Sequence, residues 1–196
     1  MSALRPEAPA HGQARVRSRL VLLLLLGLFF APLALSFLLY YHWHWRPAGQ
    51  TNHGTLITPP RPLPTAGAAV VLQGKWSLVY VGSGECDESC RAALYFMRQT
   101  YLGLGHLSAR TQQVFLVTER CCDRAFLDRE HPGLITLNST EPGSAAVLAQ
   151  FPEPERASTL FIVDPRGNLM MRYDVHAAPR GLHDDLEKLL RLSHIG

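Results

Sequence analysis

Apolar and polar positions fall into two regimes along the chain. Residues 20–41, LVLLLLLGLFFAPLALSFLLYY, are apolar on every side and carry no charge. A run of that length crosses a bilayer as a helix. Pro32 lies inside it and predicts a bend, which membrane helices tolerate. From about residue 68 the pattern becomes short apolar runs broken by turns, as in a folded domain. AVVLQ (69–73) predicts a short strand, and KWSLVYVG (75–82) a strand apolar enough to be buried on both faces. Residues 88–103 predict a helix: Cys90, Leu94, Met97 and Tyr101 recur on one face, and Asp87 stands as N-cap. TQQVFLVTE (111–119) and LITLN (134–138) predict strands, and SAAVLAQF (144–151) a short helix capped by Ser144. STLFIVD (158–164) and LMMRYDV (169–175) flank a Pro-Arg-Gly-Asn turn and predict a hairpin. Leu182, Leu186 and Leu189 share one face of a final helix. The order strand, helix, strand, helix, hairpin, helix predicts an α/β sandwich around a central mixed sheet.

Residues 42–67 are rich in Pro, Gly and Thr and have no helical period, which predicts an extended tether. The organisation is then a basic N-terminus (1–19), a transmembrane helix (20–41), a tether (42–67) and a folded domain (68–196). Arg5, Arg15, Arg17 and Arg19 precede the span against one acid, Glu7, whereas the exit side offers only Arg46 nearby. Positive flanks stay inside, so the N-terminus is expected in the cytoplasm and the domain outside. Tyr40, Tyr41, Trp43 and Trp45 form an aromatic belt at the exit. The alternative is a cleaved signal peptide, although the apolar run exceeds a typical signal core. The net charge of +3 is too weak to argue for nucleic acid. His42, His44 and His53 read as companions of the membrane interface; His106, His131, His183 and His194 read as surface residues.

All four cysteines follow the span, and exported cysteines tend to oxidise. GSGECDESC places Cys86 and Cys90 after a buried strand and at the start of a helix. Open α/β sheets put their chemistry at that end of the strands. The spacing brings both sulfurs to one side, close enough for a disulfide or for two bonds to one soft metal ion. A helix start lowers a thiol pKa, but Glu85, Asp87 and Glu88 oppose that effect and favour a bound cation. Cys86 is expected at the exposed end of the turn and Cys90 on the apolar helix face. Redox pair, metal clamp and structural staple all remain open on these residues. No glycine-rich phosphate loop and no Ser-His-Asp nucleophile motif is present.

A strand ending in aromatic-Val-Gly, then C-x-x-x-C, then a helix resembles the Sco/SenC family of the thioredoxin-like superfamily. STLFIVDPRGN is similar to that superfamily's late hairpin. The anchor, the lead-in TNHGTLITPPRPLP and GKWSLVYVGSGEC resemble small bacterial members linked to cytochrome c oxidase assembly. The resemblance covers about residues 50–190. It implies a thioredoxin-like fold and a single-pass protein of the bacterial inner membrane with its domain in the periplasm. It also implies copper delivery to, or thiol reduction at, the oxidase copper site, with a cytochrome c oxidase subunit or another exported thiol protein as partner. Cys86 and Cys90 carry over as the family's cysteine pair, for redox exchange or for Cu(I).

Two departures stand out. The family's third copper ligand is a histidine just before the late hairpin; here PEPERASTLFIVD has none, and Arg156 lies about where it would be. Thioredoxin-type enzymes carry a cis-proline at that point, where this chain has Ser158. The thioredoxin-like topology that the resemblance implies brings His176, Cys121 and Cys122 to the same sheet edge, so each is a candidate third ligand. A disulfide from Cys121 or Cys122 to the 86/90 pair is a further expectation. Three functions compete: a copper or thiol assembly factor, a general exported thiol–disulfide oxidoreductase, and a docking module with a structural Cys86–Cys90 bond.

Overall fold

The structure is a computed structural model that describes residues 11–42, 51–119, 121–176 and 179–196. The chain divides into two units, Met1–Gly49 and Gln50–Gly196. The first holds one helix, α1 (His11–His42), with Pro32 inside it. Within it Arg17–Tyr41 has a mean hydropathy of 2.6 and is long and apolar enough to cross a membrane. Its apolar side chains are exposed, as they are on a helix whose solvent is lipid. These features fit a single-pass membrane anchor. Arg5, Glu7, Trp43, His44, Trp45 and Arg46, which carry part of the orientation and belt arguments, lie outside the described residues.

The second unit is built on a six-stranded mixed sheet of order β1-β6-β5-β2-β3-β4. Its strands are β1 (Thr55–Pro62), β2 (Trp76–Gly82), β3 (Thr111–Val117), β4 (Ile135–Asn138), β5 (Thr159–Val163) and β6 (Asn168–Asp174). β2 runs parallel to β3 and antiparallel to β5, and β5 antiparallel to β6. The central strands β2, β3 and β5 are buried on both faces, which their near-continuous apolar sequence requires. Alternate residues divide between two cores. Leu78 and Tyr80 face one core with α2 (Glu88–Gly103) and α5 (Pro179–Leu192); Val79 and Val81 face the other with α4 (Ser144–Leu148). On α2, Cys90, Leu94 and Met97 are buried on one stripe, as their spacing predicts.

The sequence reading departs from this fold in four places. The segment expected as a tether contains β1, which pairs with β6 and makes the sheet begin before residue 68. Pro59 and Pro60 sit where the β1–β6 register shifts, between Leu56 and Arg61, on an edge strand that needs no donor there. The expected strand 69–73 is instead a 3-10 helix, Gly67–Leu72, that buries Ala69 and Leu72. Gly143, at φ 87°, caps α4 in place of Ser144. A short helix, α3 (Arg124–Glu130), follows β3 where no element was expected.

One contact anchors the start of this unit. Asp185 on α5, only 4% exposed, accepts from the backbone N–H of His53 at 2.7 Å and of Gly54 at 2.8 Å. Its other oxygen lies 3.2 Å from His53 Nδ1. His53 is therefore a structural partner of α5 rather than an interfacial residue.

Candidate thiol site

The turn after β2 is set by local hydrogen bonds. Cys86 N donates to Ser83 O at 3.2 Å, and Cys86 adopts φ 45°, a left-handed conformation uncommon outside glycine. Asp87 caps α2 as its sequence position predicts: its Oδ1 accepts from Cys90 N at 2.9 Å. Cys86 thus stands just before the helix and Cys90 in its first turn. Their sulfurs are joined in a disulfide, with Cα atoms 5.0 Å apart. Both are buried, Cys86 at 4% exposed and Cys90 at 2%, within the core that holds Leu94 and Met97. The expectation that Cys86 would be exposed is corrected: the turn folds its side chain inward. Arg91 Nε donates to Cys86 O at 3.3 Å, and its guanidinium lies 5.3 Å from the centre of the Phe126 ring.

Beside the pair lies a groove of about 540 Å³, bordered by Tyr80, Glu85, Asp87, Glu153 and Arg156. Its wall is pinned by one carbonyl. Ala157 O accepts from Tyr80 Oη at 3.1 Å and from Ser89 Oγ at 3.2 Å, tying the 3-10 helix Glu153–Ser158 to β2 and α2. Burial, with Asp87 nearby, pushes the Tyr80 phenol up to about 12, so it remains a neutral donor. Arg156 does not aim its charge at the sulfurs. It donates to Phe151 O and Leu148 O, capping the end of α4, and reaches Glu153 at 3.3 Å. The groove is left with a surplus of carboxylates.

The sheet places the other candidates at the same end, as the topology argument expected. β3 ends beside β2, with Val117 opposite Gly82, and β6 finishes beside the start of β5, with Asp174 opposite Thr159. His176 follows β6, is exposed, and has its backbone N–H on Asp174 Oδ1 at 2.9 Å. Cys121 and Cys122 form a disulfide with each other. The expected bond from either of them to the 86/90 pair is therefore absent, because each pair is closed on itself. They pack, half-buried, against the core that contains Cys86 and Cys90. Among the described residues no group of three or more His, Cys, Asp or Glu side chains could hold a metal ion. His131, expected at the surface, is buried at 6% exposed.

Residues 76–193 match the family described as the transmembrane-like, thioredoxin-like C-terminal domain. The chain belongs to that family. This thioredoxin-like domain has the fold of solved Sco structures. Apo Sco1 from Thermus thermophilus superposes with a TM-score of 0.54 at 21% identity, over 75% of this chain and 100% of that one. A copper-bound ScoI from Arabidopsis thaliana gives 0.53 at 18% identity, over 64% and 89%. A putative protein disulfide isomerase from Bacteroides thetaiotaomicron gives 0.52 at 13% identity, over 72% and 95%. No curated protein matches the sequence.

Proposed function

We propose that this chain is a membrane-tethered Sco-type factor that acts by disulfide exchange at Cys86–Cys90. Its substrate is an oxidised cysteine pair of an exported protein, and the copper-site cysteines of a cytochrome c oxidase subunit are the favoured case. The supporting observation is a closed C-x-x-x-C disulfide at the carboxyl end of β2, against the start of α2, in a thioredoxin-like domain. In this reading the basic flank before the span stays inside and the domain lies on the periplasmic side of a bacterial inner membrane.

The exchange starts from the dithiol form. Cys86 thiolate attacks one sulfur of the partner disulfide, forming a mixed disulfide and releasing the partner's other sulfur as thiolate. Cys90 then attacks Cys86 Sγ, closing the Cys86–Cys90 bond and releasing the partner as dithiol. Two electrons pass to the partner, and an exported dithiol reductant reopens the pair. Because both cysteines are buried, a partner reaches Cys86 only after the groups that cover it move.

A second reading, Cu(I) carriage as cargo, is favoured by the carboxylate surplus of the adjacent groove. The reduced pair would offer two thiolates, donors suited to Cu(I). Among the described residues no three-ligand cluster is assembled, so this reading rests on the two thiolates of the reduced pair.

The test mixes the reduced full chain, in detergent, with an oxidised peptide carrying the oxidase copper-site cysteines. The expected result is peptide dithiol appearing with Cys86–Cys90 oxidation, and a trapped mixed disulfide in Cys90→Ser. No exchange, with no mixed disulfide in Cys90→Ser, contradicts the proposal. Anaerobic Cu(I) titration of the same protein and of Cys86→Ser/Cys90→Ser tests the second reading by whether binding depends on the pair.

A further inference from the structure

Cys121 and Cys122 are adjacent in sequence and bonded to each other. A crosslink stabilises mainly by restricting the unfolded chain, and the gain grows with the loop it closes. A bond between neighbours encloses no intervening residue, so it has little value as a staple. Its accessibility also differs from that of the first pair: Cys121 and Cys122 are half-buried, whereas Cys86 and Cys90 are nearly covered. A thiol in solution meets the second bond first.

A cavity of about 40 Å³ lies beside Cys121, and its wall includes Arg124, Asp128 and His131. His131 Nδ1 is buried without a hydrogen-bond partner. Such orphans are uncommon and call for an explanation. The charged groups around the imidazole are Arg98 on α2, Glu130 beside it, and Arg124 and Asp128 on α3. Burial first, then Arg98, holds the His131 pKa below its ordinary value, so the ring is neutral at pH 7. Cys121 lines the same cavity, and its sulfur becomes a polar group once the disulfide opens.

We propose that Cys121–Cys122 is a second thiol-exchange centre, reduced by a dithiol in solution, with His131 as the positioning residue that pairs with the Cys121 sulfur when the bond opens. A thiolate of the dithiol attacks Cys122 Sγ. The donor–Cys122 bond forms as the Cys121–Cys122 bond breaks, and Cys121 leaves as thiolate beside His131. The donor's second thiol then attacks its own sulfur in the mixed disulfide, and Cys122 leaves. The donor loses two electrons and becomes a disulfide. The cysteine pair gains them, and the donor's two protons end on Cys122 and on the Cys121–His131 couple. This centre stands whether or not Cys86–Cys90 exchanges with a partner.

The test uses the full chain in detergent, as wild type and as Cys86→Ser/Cys90→Ser. Each is treated with dithiothreitol under native conditions, trapped with a maleimide and mapped by peptide mass. The expected result is two labels on residues 121–122 in both proteins, arriving in the wild type before those on Cys86 and Cys90. Labelling that needs denaturant, that needs no reductant, or that lags behind Cys86 and Cys90 overturns the proposal. The positioning role is read from the pH profile of Cys121 alkylation in the reduced wild type. An inflection below the ordinary thiol value of about 8.5 is expected. In His131→Asn the rate at pH 7 should fall by about threefold to tenfold and recover at pH 9. An ordinary wild-type inflection, or superimposed profiles, removes His131 from the proposal.

Discussion

Asp185→Ala tests how the start of the domain is held. The carboxylate is buried and accepts two backbone N–H groups, from His53 at 2.7 Å and from Gly54 at 2.8 Å. Hydrogen bonds to a charged acceptor contribute about 1.5–3 kcal/mol each, and a buried donor left unpaired costs about 1–3 kcal/mol. Gly54 is buried, so its N–H has no ready substitute; His53 is half exposed and can turn to water. Gly54 thus carries most of the loss, and about 3 kcal/mol is expected in all. Asp185→Asn keeps an acceptor oxygen and should lose about half of that. Because β1 is an edge strand whose sheet partner is β6, the loss should appear first as local release of residues 53–62. The assay is amide hydrogen exchange on the full chain. Three kcal/mol corresponds to about a hundredfold faster exchange at Gly54 and in β1. Unchanged exchange there, or an Asn variant as damaging as Ala, would refute the reasoning.

Two further outcomes follow from the core and from the site. Tyr80→Phe should cost about 1 kcal/mol at neutral pH by removing the bond to Ala157 O, measured by urea unfolding. The Tyr80 pKa is raised above its ordinary 10.0, so the stability it contributes is complete below pH 10 and is lost as pH rises toward about 12; the Phe variant should lack that alkaline decline. Met97→Ala empties a fully buried position beside Cys90 and Leu94 and should cost about 2–5 kcal/mol, read from the shift in unfolding midpoint.

What was legible in the sequence was what periodicity and local chemistry encode. The helix at 88–103, its Asp87 cap and the strand before it follow from an apolar stripe, a capping residue and a doubly buried run, and all three stand in the structure. The shared edge of Cys86, Cys121 and His176 followed from the strand directions of a thioredoxin-like sheet, which the family resemblance supplied. β1 was missed because its prolines and exposed positions carry no alternation; its partner β6 makes it a strand. α3 was missed because seven residues with one buried leucine leave almost no period to detect. The Asp185–His53 link joins positions far apart in sequence, with no local mark on either. His131 looked like a surface residue because a lone histidine beside Glu130 and Pro132 reads as loop, whereas the fold buries it beside Phe126. The vicinal pairing of Cys121 and Cys122 was missed, because four cysteines permit several connectivities and spacing does not choose among them.

The most direct test of the central claim is the reduction potential of Cys86–Cys90 in the full chain, by equilibration in thiol redox buffers, thiol trapping and peptide mapping. A working exchange pair should fall between about −180 and −270 mV, the range of exchange catalysts. A value below about −300 mV would mark the bond as a structural staple and contradict the account.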